Sequence, residues 1–108
     1  MTEKVFESIK FLKIEIERYD KILKEIRRGR DEEYAKLLME SRANLIKKKS
    51  EAENLINGIE DDEIRLICKL KFIDPKSWNY IADKMHYDRT TVYKKYKKFI
   101  EGGKQVNE

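Results

Sequence analysis

With 43% of its 108 residues charged and 40% hydrophobic, this chain is too apolar and too periodic for disorder, and too charged for one thick globule. One cysteine and one histidine exclude an intramolecular disulfide and a structural zinc site built by the chain alone. No apolar run reaches bilayer length, and the N-terminal MTEKVFESIK carries charges where a signal peptide needs its hydrophobic region, so the sequence predicts a cytoplasmic, non-membrane protein.

From Val5 the residues Val5, Ile9, Leu12, Ile16, Tyr19, Leu23 and Ile26 step by four and three, the pattern of a heptad seam. Phe6, Phe11, Ile14 and Ile22 widen it beyond what one neighbouring helix covers, which predicts a homodimer through the stripe carrying Phe6, Phe11 and Ile14, the alternative being that the face is core within the chain and implies no partner. Arg27 to Asp31 holds no apolar residue, so Gly29 is read as a helix end and Asp31 as the next cap. A second helix from about Glu32 to Ile56 carries a seam of Tyr34, Leu38, Ser41, Leu45, Lys48, Ala52, Leu55 and Ile59, and Asn57-Gly58 stops it. Together these predict a coiled-coil-like antiparallel helical hairpin over residues 1–58, closed near Arg28 to Asp31. The alternative is one helix through Gly29, at about 1 kcal/mol relative to Ala.

Asp61 or Asp62 is expected to cap a third helix from Glu63 to about Phe72, with Ile64, Ile67, Cys68 and Phe72 inward and Cys68 a packing residue. Asp74-Pro75 ends it, unless Asp74 caps the next helix and Pro75 opens it. Trp78, Ile81, Ala82 and Met85 then form one apolar helical face, and His86-Tyr87-Asp88 breaks the pattern. Asp88 is positioned to accept from the N–H of Thr90 or Thr91 and start a last helix, with Val92, Tyr96 and Phe99 inward. Gly102-Gly103 reads as its stop and Lys104 to Glu108 as a frayed tail.

The outward face of that last helix is Arg89, Thr90, Tyr93, Lys94, Lys97 and Lys98, a surface suited to a polyanion. Net charge is only +4, yet Lys84, Arg89, Lys94, Lys95, Lys97, Lys98 and Lys104 oppose only Asp88 and Glu101 within this segment. A lysine-rich face is also what a solvated helix presents. What favours DNA is Ala82, small enough for close helix approach, followed ten positions later by the β-branched Val92, the spacing of a helix-turn-helix. His86 stands at the turn position usually held by glycine and must adopt a left-handed backbone or a different turn. The predicted fold class is all-α, a hairpin followed by a three-helix DNA-binding unit over residues 59–103 and a tail over 104–108. No catalytic constellation, phosphate loop or metal-ligand set appears, so no enzyme activity, cofactor or metal is expected.

With the heptad-rich first half, the segments LINGIEDDEIRLICKLKFID and SWNYIADKMHYDRTTVYKKYKKFI closely resemble the small phage late-transcription regulators of the ArpU/RinA type, whose C-terminal part is similar to region four of bacterial sigma factors. The resemblance implies binding to double-stranded DNA upstream of phage late genes in a bacterial host, as an activator acting with RNA polymerase. At matching positions it implies Trp78, Ile81, Ala82 and Val92 as motif core, and Arg89, Thr90, Tyr93, Lys94 and Lys97 as DNA-facing residues. His86 stands where that family commonly has Gly, and Asp88 where it commonly has Ser. The sequence thus predicts a sequence-specific transcription regulator. Two rival readings are a phage small terminase subunit, which usually places the motif first, and a helical adaptor binding a protein through Phe6, Phe11 and Ile14.

Overall fold

Apolar positions spaced by three and four throughout call for helices, and the computed structural model is all-helical over the residues it describes, 2–26 and 31–106. The elements are α1 (Thr2–Ile26), α2 (Glu32–Asn57), α3 (Asp62–Cys68) continuing into a π-helical segment (Lys69–Ile73), α4 (Trp78–Met85) and α5 (Arg89–Val106). The predicted turn at Arg28 and Gly29 lies outside the described residues.

α1 and α2 pack along each other in opposite directions. Val5, Ser8 and Leu12 share a groove with Lys48, Ala52 and Leu55, while Asp20 pairs with Arg42 at 2.5 Å. Asp31 caps α2, its Oδ1 accepting from the Tyr34 N–H at 3.0 Å, and Gly58 ends the helix by donating to the Asn54 carbonyl.

The packed seams differ from the expected ones. In α1, Phe6 goes fully inside with Ile9, while Val5 stays 39% exposed, and Phe11 and Ile14 lie exposed on the side turned away from Ile9 and Ile16. Phe6 is therefore unavailable to the predicted dimer stripe. In α2 the register is one residue off: Leu38, Leu45 and Ala52 face inward as expected, but their companions are Ala35, Arg42, Lys49 and Ile56, and Tyr34, Ser41, Lys48 and Leu55 are exposed. Ile56 decides this register because its side chain, fully buried, reaches the shared core. Arg42 and Lys49 tolerate it by laying their aliphatic stems along the seam while Asp20 and Glu53 hold their charged ends.

α3 starts at Asp61, whose carboxylate accepts from the Ile64 N–H at 3.0 Å, and buries Ile64, Ile67 and Cys68. The single helix predicted to Phe72 is α-helical only to Cys68. Beyond it the Asp74 N–H reaches back five residues to the Lys69 carbonyl, and the smaller turn per residue brings Phe72 round onto the buried face. Pro75 does not open the next helix: Ser77 caps α4 instead, its Oγ accepting from the Tyr80 N–H at 3.1 Å. Nor do Gly102 and Gly103 stop α5, which is helical through Val106 and so includes Lys104 of the expected tail. Gly102 keeps a right-handed backbone with open space around it, so it weakens the helix without ending it.

One hydrophobic core joins all these elements. Phe6 and Ile9 of α1 and Ala52 and Ile56 of α2 meet Ile64, Ile67, Cys68, Phe72, Ile81, Ala82, Val92 and Tyr96. The first turns of α1 and the last turns of α2 thus pack against the three C-terminal helices. Cys68 is wholly enclosed there, and burial pushes its thiol up to about 12, which makes it a packing residue.

Candidate nucleic-acid interface

The site is built by α4, its turn and α5. α4 turns Ile81 and Ala82 into the core, with Trp78 and Met85 at its margin. His86 ends it in the left-handed region, φ 60° and ψ 36°, while the Tyr87 N–H donates back to the Ala82 carbonyl at 3.1 Å. A side chain in that conformation costs about 1–2 kcal/mol. His86→Gly is therefore expected to stabilise the protein by about 1 kcal/mol, raising the melting temperature by roughly 5 °C in a thermal unfolding experiment.

Two contacts then set α5. Asp88 Oδ1 accepts from the Thr91 N–H at 2.7 Å, which caps the helix. The Tyr87 hydroxyl donates to Glu63 on α3, and Lys95 approaches the same carboxylate at 3.4 Å while lying 5.2 Å from the centre of the Tyr87 ring. Lys95 is therefore turned toward α3, apart from the other lysines of α5.

Hydrogen bonds from Thr91 hold the Asp88 carboxyl below its usual range, and the Tyr87 hydroxyl does the same for Glu63. Groups whose folded values are depressed lend stability above their unfolded values and lose it as pH falls through the folded ones. The melting temperature should hold from neutrality down to about pH 5 and drop below about pH 4. Asp88→Asn, which keeps a capping oxygen without titrating, should shallow that drop in a pH series of melts.

With Val92 and Tyr96 buried, α5 presents Thr90, Lys94 and Lys97 in one outward row, with Tyr93 and Lys98 on its flanks and Arg89 in the first turn. Arg89, Thr90, Lys94 and Lys98 are exposed, Tyr93 is 44% exposed, and Lys97 is half-buried. Glu101 continues the row one turn on and lies 4.0 Å from Lys97, so the positive face ends there.

Tyr93 is held in place from below. Trp78 meets it edge-on with ring centres 5.4 Å apart and also packs 5.1 Å from Tyr96. Lys71 lies 4.7 Å from the centre of the Trp78 ring, adding a cation that sequence spacing alone does not bring to the site. Lys76 and Lys84 bracket Tyr80 on the outer side of α4 at 5.3 and 5.4 Å, a grouping visible in their four-residue spacings. Chemically this surface offers dispersed cations, hydroxyl groups and one guanidinium fork beside a capped helix start. Among the described residues no three His, Cys, Asp or Glu side chains gather as metal ligands, and no helix is long and apolar enough to cross a membrane.

A family model described as a protein of unknown function, DUF1492, matches residues 15–102. The chain belongs to that family. The DUF1492 match runs from the middle of α1 into α5, so it takes in most of the α1/α2 pair together with the helices that carry the basic face. No curated protein and no solved structure matches the chain.

Proposed function

We propose that this DUF1492 protein is a sequence-specific transcription regulator that binds double-stranded DNA through a helix-turn-helix formed by α3, α4 and α5, with α1 and α2 as an antiparallel hairpin that carries a homodimer contact. The observation that carries the reading is the pairing of two features on α5: Val92 buried ten positions after Ala82, and the row Thr90, Lys94 and Lys97 directed outward. The second helix of such a unit enters the major groove, with its first residues at base edges and later ones at phosphates. Arg89 and Thr90 then read bases, Lys94, Lys97 and Lys98 neutralise phosphates, and Tyr93 sits between the two groups. The resemblance to phage late-transcription regulators supports late genes as the target, RNA polymerase as a second partner and the host cytoplasm as the location.

The adaptor reading draws on Phe11 and Ile14, which are 64% and 51% exposed on α1. A mobility-shift titration of random duplex across a salt series separates the two. The regulator retards duplex at low salt with an affinity that falls steeply as salt rises, and selection from a random pool yields a preferred site. No retardation at low ionic strength would leave the adaptor in its place.

A further inference from the structure

Ile64, Ile67 and Cys68 mark the buried face of α3, and Lys71 follows them by seven, four and three residues. In an uninterrupted α-helix that spacing would direct Lys71 into the core and leave Phe72 to one side. The π-helical turn exchanges the two. With the Asp74 N–H bonded to the Lys69 carbonyl, Phe72 takes the buried place and Lys71 moves to the margin. There its amine lies 4.7 Å from the centre of the Trp78 ring, and Trp78 in turn meets Tyr93 edge-on with ring centres 5.4 Å apart. Lys71 thus stands one ring away from the flank of the outward row of α5, although it comes from the segment before α4.

The other lysines drawn partly out of water have acid partners. Lys49 pairs with Glu53, Lys76 with Asp74, Lys95 with Glu63 and Lys97 with Glu101, each within 4.0 Å. Lys71 is half-buried too, yet among the described residues no carboxylate comes that close to its amine. A partly desolvated cation is ordinarily paired, and here an indole face holds it instead. The ring engages one side of the ammonium group, and its remaining N–H donors are those an anion would take.

We propose that Lys71 binds a backbone phosphate of double-stranded DNA, on the strand beside the groove entered by α5, and that Trp78 is the positioning residue that holds Lys71 and Tyr93 together at that strand. The contact presupposes the DNA reading of α5 and deepens it, since it adds a cation from a second element and gives the π-helical turn a part in binding. A phosphate is the partner, and not a base edge, because Lys71 lies outside the first turn of α5, and contacts at the rim of such a unit fix its register on the duplex. A lysine held on a ring also loses less freedom when it binds than one that sweeps through water.

Fluorescence anisotropy of the full-length protein on duplex over a salt series is the test. Lys71→Met keeps an apolar stem against the ring and removes the charge. It should lower the log–log salt slope by about 0.9 and weaken binding roughly eightfold near 0.1 M salt, by the same factor on random duplex and on a selected site. Lys71→Arg, whose guanidinium also stacks on aromatic faces, should restore both. Trp78→Leu stays apolar but removes the ring face, so adding Lys71→Met to it should reduce the slope by much less, because the amine is no longer held. Trp78→Phe, which keeps a ring, should bring the full difference back. Trp78 is the only tryptophan in the chain, so bound duplex should also shield its emission from quenching by acrylamide. Wild-type binding with an unchanged slope in Lys71→Met overturns this contact and leaves the α5 reading standing, and so does acrylamide quenching that duplex does not reduce. A Lys71→Arg slope as low as that of Lys71→Met overturns it too, since charge is then not the cause. A full 0.9 loss in the Trp78→Leu background removes Trp78 as the positioning residue. Wild-type protein that binds no duplex at low salt overturns both this contact and the reading it rests on.

Discussion

Phe72→Ala is expected to cost about 3–5 kcal/mol of stability, the usual range for emptying an aromatic site in a closed core. Phe72 stands between Phe6 of α1 and Tyr96 of α5, with ring centres 5.4 and 6.0 Å away, so one side chain fastens the long helical pair to the helix that carries the basic face. Next to it the Tyr96 hydroxyl donates to Glu3, and burial together with that carboxylate pushes the phenol well above its usual range, so it remains a neutral donor at any physiological pH. A domain of this size has about 5–15 kcal/mol in total, and the loss should lower the melting temperature by roughly 15–30 °C. Phe11→Ala, at a site 64% exposed, should change stability by less than about 0.5 kcal/mol. Urea unfolding of the two variants is the check, and a Phe72→Ala loss below about 1 kcal/mol would contradict a shared core.

Whether a feature could be read from the sequence depended on how far away its cause lies. The Asp88 cap, the strained turn at His86 and the inward faces of α4 and α5 were legible because each follows from residues within a turn or two of one another. The seam of α2 was not. Arg42 and Lys49 look like surface residues, and their inward placement depends on Asp20 far back in the chain and on the burial of Ile56 against helices that come later. Phe6 displaced Val5 for the same reason, since Phe72 and the other C-terminal residues decide which of the two is enclosed. The π-helical turn has no local signature in KLKFI, and the glycine pair in α5 carried a stop signal that the backbone did not use. In the candidate site the outward row was visible by spacing alone. Its support was hidden, because Lys71, Trp78 and Tyr93 meet only once three separate segments have packed.

The largest effect on binding is expected from replacing Lys94, Lys97 and Lys98 together by alanine. If each neutralises one phosphate, the log–log salt slope should fall by about 0.9 per lysine, and affinity for any duplex should drop roughly several hundred-fold near 0.1 M salt but little near 1 M. Lys97 lies 4.0 Å from Glu101, so its share is the smallest of the three, and Glu101→Gln should strengthen binding to all sequences. Arg89→Ala should behave differently. If the first turn of α5 enters the groove as proposed, this change should cost about 1–3 kcal/mol on the selected site and little on random duplex, because a base-edge contact discriminates where a phosphate contact does not. Lys95→Ala is the internal control: its amine lies 3.4 Å from Glu63, so its loss should lower stability and leave the salt slope unchanged. Fluorescence anisotropy on both duplexes over a salt series measures all of these. If Lys95→Ala flattened the slope as much as Lys94→Ala, binding would not be occurring through the outward face of α5.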